Sequence, residues 1–571
     1  MDPKPVTSVS AALDLDVATR SVVNEGYDPV LPDRVSGDES VDFERVLPIG
    51  GVAGNTISFS VAAGSPATQG FMDLSRSYFR MRIPVRQKGD AAATGTTAVG
   101  NGNLRDAQNR IHGKYPMPGS GETFMAHMIW SRVRTLLGGV DMSNDAQSLD
   151  FYAQGIYDLL SKPKSYFQSR AGSHVAFEEA ASMGPIPAGP LIPSSDGEFY
   201  SKQAVVWTEE GWDTGAVVGD GPGGDRGSGA YNPSRITMWA RLVHANSADF
   251  ANYVEIAYKP NAGLWNSAFY LPGGLSFDCH LDKSNSRMPF RSPYYPDGSS
   301  KPNNRSELYI DWTSSFASCE LMLARRRTSP ALLQALAAES LQRSITVPFI
   351  RCRVATQTFS ASTQTIQLSA LFQGPRPDTV VCFCVDARAL SKSDNGVFGG
   401  EQIASWFMSG ASITNSLEAG DAEHVTEQDA GLLATPPHVT SFQVAYGTQR
   451  YPVRPFDQPT GESISEAYEA YKQVAHPSAA LSKYAFQNSM PLYVADLTDS
   501  GTARQSMQGL TSDMSSGIRG SLEVSMTTRP SLINAGGVLT QQNDYTLVIL
   551  GYSTAAVEIS QASGTARRLG W

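Results

Sequence analysis

Alternation of apolar and polar residues at every second position dominates this chain, and that period marks strands. The clearest case is Tyr78–Val85, where Phe79, Met81, Ile83 and Val85 alternate with Tyr78, Arg80, Arg82 and Pro84. The same reading predicts short strands at Thr56–Val61, Met128–Leu137, Ile236–Leu242, Tyr253–Tyr258, Ser276–Asp282, Leu308–Trp312 and Cys319–Leu323. Beyond residue 344 it predicts Ile345–Val354, Thr365–Leu371, Val439–Ala445, Leu492–Asp496 and Ser521–Met526. Tyr545–Tyr552 and Ala555–Ile559 follow as two closing strands. Thr379–Val385 differs: it is apolar almost without a break, as a strand buried on both faces would be.

Three stretches carry the helical period instead. Asn144–Ser161 places Leu149, Tyr152, Ala153, Ile156 and Leu160 on one face, and Pro163 ends it. Ser463–Val474 opens with a capping box, Ser463 and Glu466, and aligns Ile464, Ala467, Tyr468 and Tyr471. Ser329–Gln342 has Ser329 as N-cap, Pro330 in the first turn, and Leu332, Leu333 and Leu336 on one face. This last helix suits a hinge between two β-rich blocks; it would also suit a helix lying on one large β domain. The blocks repeat one order: strand, tight turn, loop, tyrosine-bearing helix. It occurs at Met128–Ser161 and again at Val439–Val474, with Pro452–Pro459 as the second loop. The repeat predicts an all-β duplicated sandwich: an N-terminal arm over 1–45, a first roll over 46–327, a linker helix over 328–344 and a second roll over 345–571. The polar, proline-containing arm reads as a disordered tail or as a segment that orders against a neighbouring subunit.

Composition narrows the function classes. Of 571 residues, 41% are hydrophobic and 18% charged, which indicates packed globular structure. The formal net charge of -10 argues against a protein whose main job is coating nucleic acid, which needs a basic surface, and leaves local basic patches open. Five scattered cysteines, an odd number, suggest reduced thiols in an intracellular fold. No secretory signal or membrane-spanning apolar run is expected from the pattern.

Catalytic chemistry is hard to find. The eight histidines lack metal-ligand spacing, and no Gly-x-Ser-x-Gly or phosphate-loop motif occurs. Trp207–Tyr231 contains the glycine-rich run 219–229 but has no evident strand before that run or helix after it, so the segment reads as an exposed loop. Cys382 and Cys384 share one strand face and read as core. Arg325-Arg326-Arg327 reads as a solvated or interfacial patch. Asp278 and Asp282 flank His280 on one strand face; this is either the acid pair of a sandwich glycosidase or the polar face of a sheet, and the latter is favoured. No catalytic, cofactor-binding or metal-binding residue is therefore assigned.

Several stretches in order resemble one family. Asp73-Leu74-Ser75-Arg76 leading into Tyr78–Val85, the strand, turn and helix of Met128–Leu160, and Leu371–Pro377 followed by Thr379–Asp386 are three of them. Phe442–Tyr446, Arg450-Tyr451-Pro452, Pro455-Phe456 and Pro491–Thr498 continue the series. Together they resemble the double jelly-roll major capsid proteins of eukaryotic double-stranded DNA viruses, in the adintovirus and polinton-like group. The chain departs from the family's Val-Asp-Gly at Ala445-Tyr446-Gly447. The resemblance implies a non-enzymatic shell protein of the virion, assembled inside the host cell. Its homotrimer would form a pseudo-hexagonal, hexon-type capsomer in an icosahedral capsid. Its partners would be other copies of itself, neighbouring capsomers, and penton and minor or cement proteins, without sequence-specific nucleic-acid binding. A β-sandwich glycoside hydrolase and a carbohydrate-binding attachment protein stay open as alternatives.

Overall fold

Strand pairing in this chain follows a doubled ribbon. The computed structural model describes residues 40–64, 70–87, 97–98, 111–112, 127, 129–146, 149–162, 204–208, 211–218, 243–246, 251–261, 263–267, 270–284, 308–310, 312–327, 344–360, 362–387, 438–457, 465–478, 486, 491–498, 519–529, 532–533, 539–540, 544–560 and 565–569. The first eight main strands are β1 (Ser40–Val46), β2 (Thr56–Val61), β3 (Phe71–Gln87), β4 (Trp130–Leu137), β5 (Val140–Asp141), β6 (Ala251–Tyr258), β7 (Phe277–Lys283) and β8 (Ser318–Arg327). They form two sheets in the orders β1-β8-β3-β6 and β2-β7-β4-β5.

The next eight are β9 (Ile345–Phe359), β10 (Thr365–Pro375), β11 (Thr379–Asp386), β12 (His438–Tyr446), β13 (Gln449–Asp457), β14 (Tyr493–Asp496), β15 (Arg519–Arg529) and β16 (Tyr545–Ser560). Their sheets read β9-β16-β11-β14 and β10-β15-β12-β13, the same order shifted by eight. In each set the pairs are first with eighth, second with seventh, third with sixth and fourth with fifth, all antiparallel. A hairpin ribbon rolled into two facing sheets has this order, which is a jelly roll. The fold is a double jelly roll. Among the described residues a helix stands between the fifth and sixth strands of each roll: α1 (Asp150–Ser161) and α2 (Ser465–Val474). A further strand, β17 (Thr565–Leu569), pairs with the end of β16.

Alternation along the strands builds the cores. In the first roll Phe79 packs against Phe59 and Trp265, with ring centroids 5.2 and 5.4 Å away. Phe277, Cys279 and Leu281 of β7 are fully buried, while Asp278 and His280 between them are half-buried. In the second roll Phe442 lies against Phe456 and Tyr493.

Five expectations change. Gly211–Val218, expected within the loop Trp207–Tyr231, is a strand that pairs with Ala204–Thr208 directly before the glycine-rich run. Ser40–Arg45, placed in the arm, belong with Val46 to the first strand of the first roll, which pairs with β8 from Ser40↔Arg327 to Val46↔Leu321. As an edge strand with mostly exposed side chains, it shows little contrast between its faces. Residues 452–457, expected within a loop, belong to β13, where Pro452 and Pro455 are tolerated because β13 is also an edge. Tyr545–Ser560 is one strand rather than two: Ser553 and Thr554 continue the ladder opposite Arg351 and Ile350. Asn144–Ala146 and Leu149 are not helical, and α1 begins at Asp150. The expected linker helix at 329–342, the strand at 236–242, the glycine-rich 219–229, the arm residues 1–39 and the cap Ser463 lie outside the described residues.

Candidate functional site at the seam between the rolls

All twelve residues of α1 are buried, which an amphipathic surface helix would not show. The reason is that α1 has a roll on each side. Toward the second roll, Tyr152 meets Phe383 of β11 at 5.2 Å, and Tyr157 meets Tyr552 of β16 at 6.1 Å. The Tyr552 hydroxyl donates to the Ala153 carbonyl at 2.7 Å.

Toward the first roll, Asp150, Gln154 and Asp158 recur every fourth residue, so they form one stripe along the helix. Asp150 accepts hydrogen bonds from the Val133 amide, Asn144 Nδ2 and Gln154 Nε2, each at 2.9 Å. Gln154 Oε1 accepts from the Tyr258 hydroxyl at 3.0 Å and the Asn261 amide at 3.1 Å. Asp158 meets Asn261 Nδ2 at 2.5 Å and His127 Nε2 at 3.1 Å. Burial pushes the Asp150 carboxyl above its ordinary range, and its hydrogen bonds, with Arg132, oppose that shift. Burial likewise pushes the Tyr152 and Tyr552 hydroxyls far up.

The two helices also meet each other. The last carbonyls of a helix lack partners within it. Those of Leu159 and Leu160 accept from the Tyr471 hydroxyl at 3.3 Å and the His476 amide at 2.7 Å, both from α2 and the residues just after it. The segment before α1 covers the edge of β9: the Asp145 amide donates to the Cys352 carbonyl at 2.9 Å, and the Val354 amide donates to the Asp145 carbonyl at 3.0 Å. Gly263 bridges Ile350 farther along the same edge. A buried edge closed in this way leaves no open ladder inside the block. The seam thus serves to hold the two rolls together; most of its polar groups are bonded to one another away from solvent, with Asn261 Oδ1 buried and without a hydrogen-bond partner.

The residues singled out from sequence fall elsewhere. Asp278, His280 and Asp282 face β2 across the ladder. Ser60 Oγ donates to Asp278 at 2.5 Å, Ser58 Oγ lies 2.9 Å from His280 Nδ1, and Thr56 Oγ1 donates to Asp282 at 2.7 Å. Arg134 adds two bonds to Asp282 at 3.1 Å. Four residues of strand separate the carboxylates by about 13 Å, beyond the roughly 5–9.5 Å of glycosidase acid pairs. They form the polar outer face of a sheet. Among the described residues no group of three or more histidine, cysteine, aspartate or glutamate side chains is placed to hold a metal ion.

Of the arginine triplet, expected to be solvated or interfacial, the first two members are not solvated, and the Arg327 side chain lies outside the described residues. Arg325 and Arg326 are buried, and pair with Glu44 at 2.8 Å and Asp73 at 3.0 Å. Arg326 also lies over the Tyr270 ring, 4.4 Å from its centroid. Asp73 begins Asp-Leu-Ser-Arg, where Leu74–Ser77 of β3 stand opposite the single residue Leu323 of β8. Ser75 Oγ donates to Asp73 at 2.6 Å, and Ser77 Oγ both donates to the Asp73 carbonyl and accepts from the Ala324 amide. The motif is therefore a pinned irregularity in the sheet. On its outer face Glu320 meets Arg80 at 2.9 Å and also pairs with Arg45. Burial alone would raise the Glu320 carboxyl, but the two arginines outweigh it and hold it below the ordinary range. Cys382 is fully buried and Cys384 partly so; both are free thiols.

The signal for the seam was present as the i, i+4, i+8 spacing of Asp150, Gln154 and Asp158. The sequence reading followed the apolar face of α1 and did not single out those three.

No protein-family model and no curated protein matches the sequence. Solved structures do resemble this one. The 3.5 Å cryo-EM structure of the Sputnik virophage is 11% identical, with a TM-score of 0.48 over 94% of this chain and 89% of that one. The crystal structure of the mavirus major capsid protein is 8% identical, with a TM-score of 0.45 over 92% and 90%. The quasi-atomic PBCV-1 virus capsid is 11% identical, with a TM-score of 0.43 over 93% and 97%.

Proposed function

We propose that this chain is the major capsid protein of a double-stranded DNA virus, located in the virion shell. The observation that carries the reading is the duplicated jelly roll fused through a buried helix. Two sets of eight strands in the same order flank the buried α1, which supports one block with a roll on each side. A tiling subunit needs a rigid block with side faces, and the ordered motifs from Asp73 to Thr498 point the same way. On this reading three copies form a pseudo-hexagonal capsomer of six rolls, since cyclic symmetry lets one surface serve every copy. Neighbouring capsomers, penton and minor proteins are the further partners, and the protein is structural rather than catalytic. The carboxylate spacing on β7 speaks against the glycosidase alternative.

Mass photometry of the purified full chain, with negative-stain imaging, tests this. The expected result is a species of three times the chain mass with pseudo-hexagonal outline, stable to dilution because obligate interfaces often exceed about 2,000 Å². A folded monomer at high concentration, with no assembly when salt screens charge, would refute it.

A further inference from the structure

Lys283 ends β7 on the face that turns into the first roll. Phe277, Cys279 and Leu281 of that strand are buried, and the two-residue period carries the half-buried Lys283 inward after them. Its amine lies over the Trp312 ring, 4.3 Å from the centroid, and donates to the Val52 carbonyl. Lys283 forms no ion pair among the described residues: Asp282 beside it turns to the outer face, where Arg134 holds it at 3.1 Å. Cys319 of β8 also acts on the amine, but burial pushes its thiol far up, so it stays neutral and supplies no charge. Trp130 stands opposite Lys283 across the ladder, past one extra residue of β4, so both side chains leave the sheet on the same side. Trp130 is fully buried, with its ring 5.7 Å from that of Trp312. Its indole nitrogen is buried and makes no hydrogen bond. That nitrogen can only donate. Two donors therefore stand together at one end of the roll: an ammonium without a counter-charge and an N–H without an acceptor.

We propose that this end of the first roll binds a small organic carboxylate, with one oxygen on the Lys283 ammonium and the other on the Trp130 N–H. A carboxylate answers both groups at once. It carries one negative charge, accepts without donating, and has two oxygens to share between two donors. A neutral amide brings no charge to match the ammonium. The Trp130 and Trp312 rings supply an apolar wall for a short hydrocarbon body. The site lies within one chain, so it stands apart from the assembly reading above.

Acetate titration of the full chain at constant ionic strength, followed by tryptophan fluorescence, tests this, with acetamide as the neutral counterpart. Acetate should saturate the signal at pH 7, and acetamide should not. Lys283→Met and Trp130→Phe should each weaken acetate binding at least roughly tenfold, the effect of losing a hydrogen bond to a charged group. Binding should also follow the proton on the amine. Burial lowers Lys283 to about 8, so acetate should bind roughly thirtyfold more weakly at pH 9.5 than at pH 7. This pH series uses wild type alone and decides the matter where a variant fails to fold. The proposal is overturned if acetate shows no saturation by about 10 mM, where a millimolar site would be nearly full. It is equally overturned if acetamide binds as well as acetate, if either folded variant binds acetate like wild type, or if wild type binds acetate equally at the two pH values.

Discussion

Removing the Asp150 side chain attacks the seam at its most connected point. The residue is 1% exposed and accepts from three donors: the Val133 amide, Asn144 and Gln154. Asp150→Ala leaves all three without that acceptor in a buried site. Each unmet donor costs about 1–3 kcal/mol. Against that, the variant no longer buries a carboxylate, whose desolvation is already unfavourable, and the two amide side chains can turn toward other partners. The net cost should be about 3–5 kcal/mol, the range for deleting one member of a buried charged network. For a chain of this size that is a fall in apparent melting temperature of roughly 2–4 °C. Asp150→Asn keeps the volume and one acceptor oxygen, and should cost only about 1–2 kcal/mol.

The pH dependence follows from the direction of the shift. Burial raises the folded-state carboxyl above its ordinary 3.8, so the folded state holds the proton more tightly than the unfolded chain. The penalty is absent below 3.8 and grows as pH rises through the folded value. Acidification across that window therefore adds stability, and Asp150→Asn should lack this component. Differential scanning fluorimetry across pH on wild type and both variants reads all of it. An Asp150→Ala protein that melts within 1 °C of wild type, or that is no worse than Asp150→Asn, would refute the network argument.

Three further outcomes are expected. Gly263→Ala would place a Cβ 2.3 Å from the Met142 carbonyl oxygen at a φ of +55°, and should cost about 3 kcal/mol or more; Gly447→Ala, at φ +61° with open space around it, should cost only about 1–2 kcal/mol in the same denaturation assay. Asp278→Asn should shift stability by less than about 0.5 kcal/mol in urea titration, because its carboxylate sits on a solvent-facing sheet ladder rather than in a reactive pair. Maleimide should label none of the five cysteines of the native protein within the time that labels all five in denaturant, since burial shields them and pushes Cys384 up to about 12.

Period-2 alternation was enough to locate most strands, because a half-buried strand must show its inner face at every second residue. The duplication was legible for a related reason: the same turn and helix recur at 138–161 and 446–474. Edges were not legible. β1 and β13 have little covered surface, so neither their polarity nor their prolines look like those of a central strand. Nor could the sequence tell which roll a segment serves. The apolar run of β11 announced burial on both faces, yet the cover over Phe383 is Tyr152 of α1, more than two hundred residues earlier. The stripe of Asp150, Gln154 and Asp158 has the spacing of a solvated helix face. It becomes a buried network only because Tyr258, Asn261 and His127 arrive from distant parts of the first roll to satisfy it. Local periodicity fixes which side of an element differs from the other; what lies against each side depends on how the ribbon rolls, and that is decided by contacts far apart in the chain.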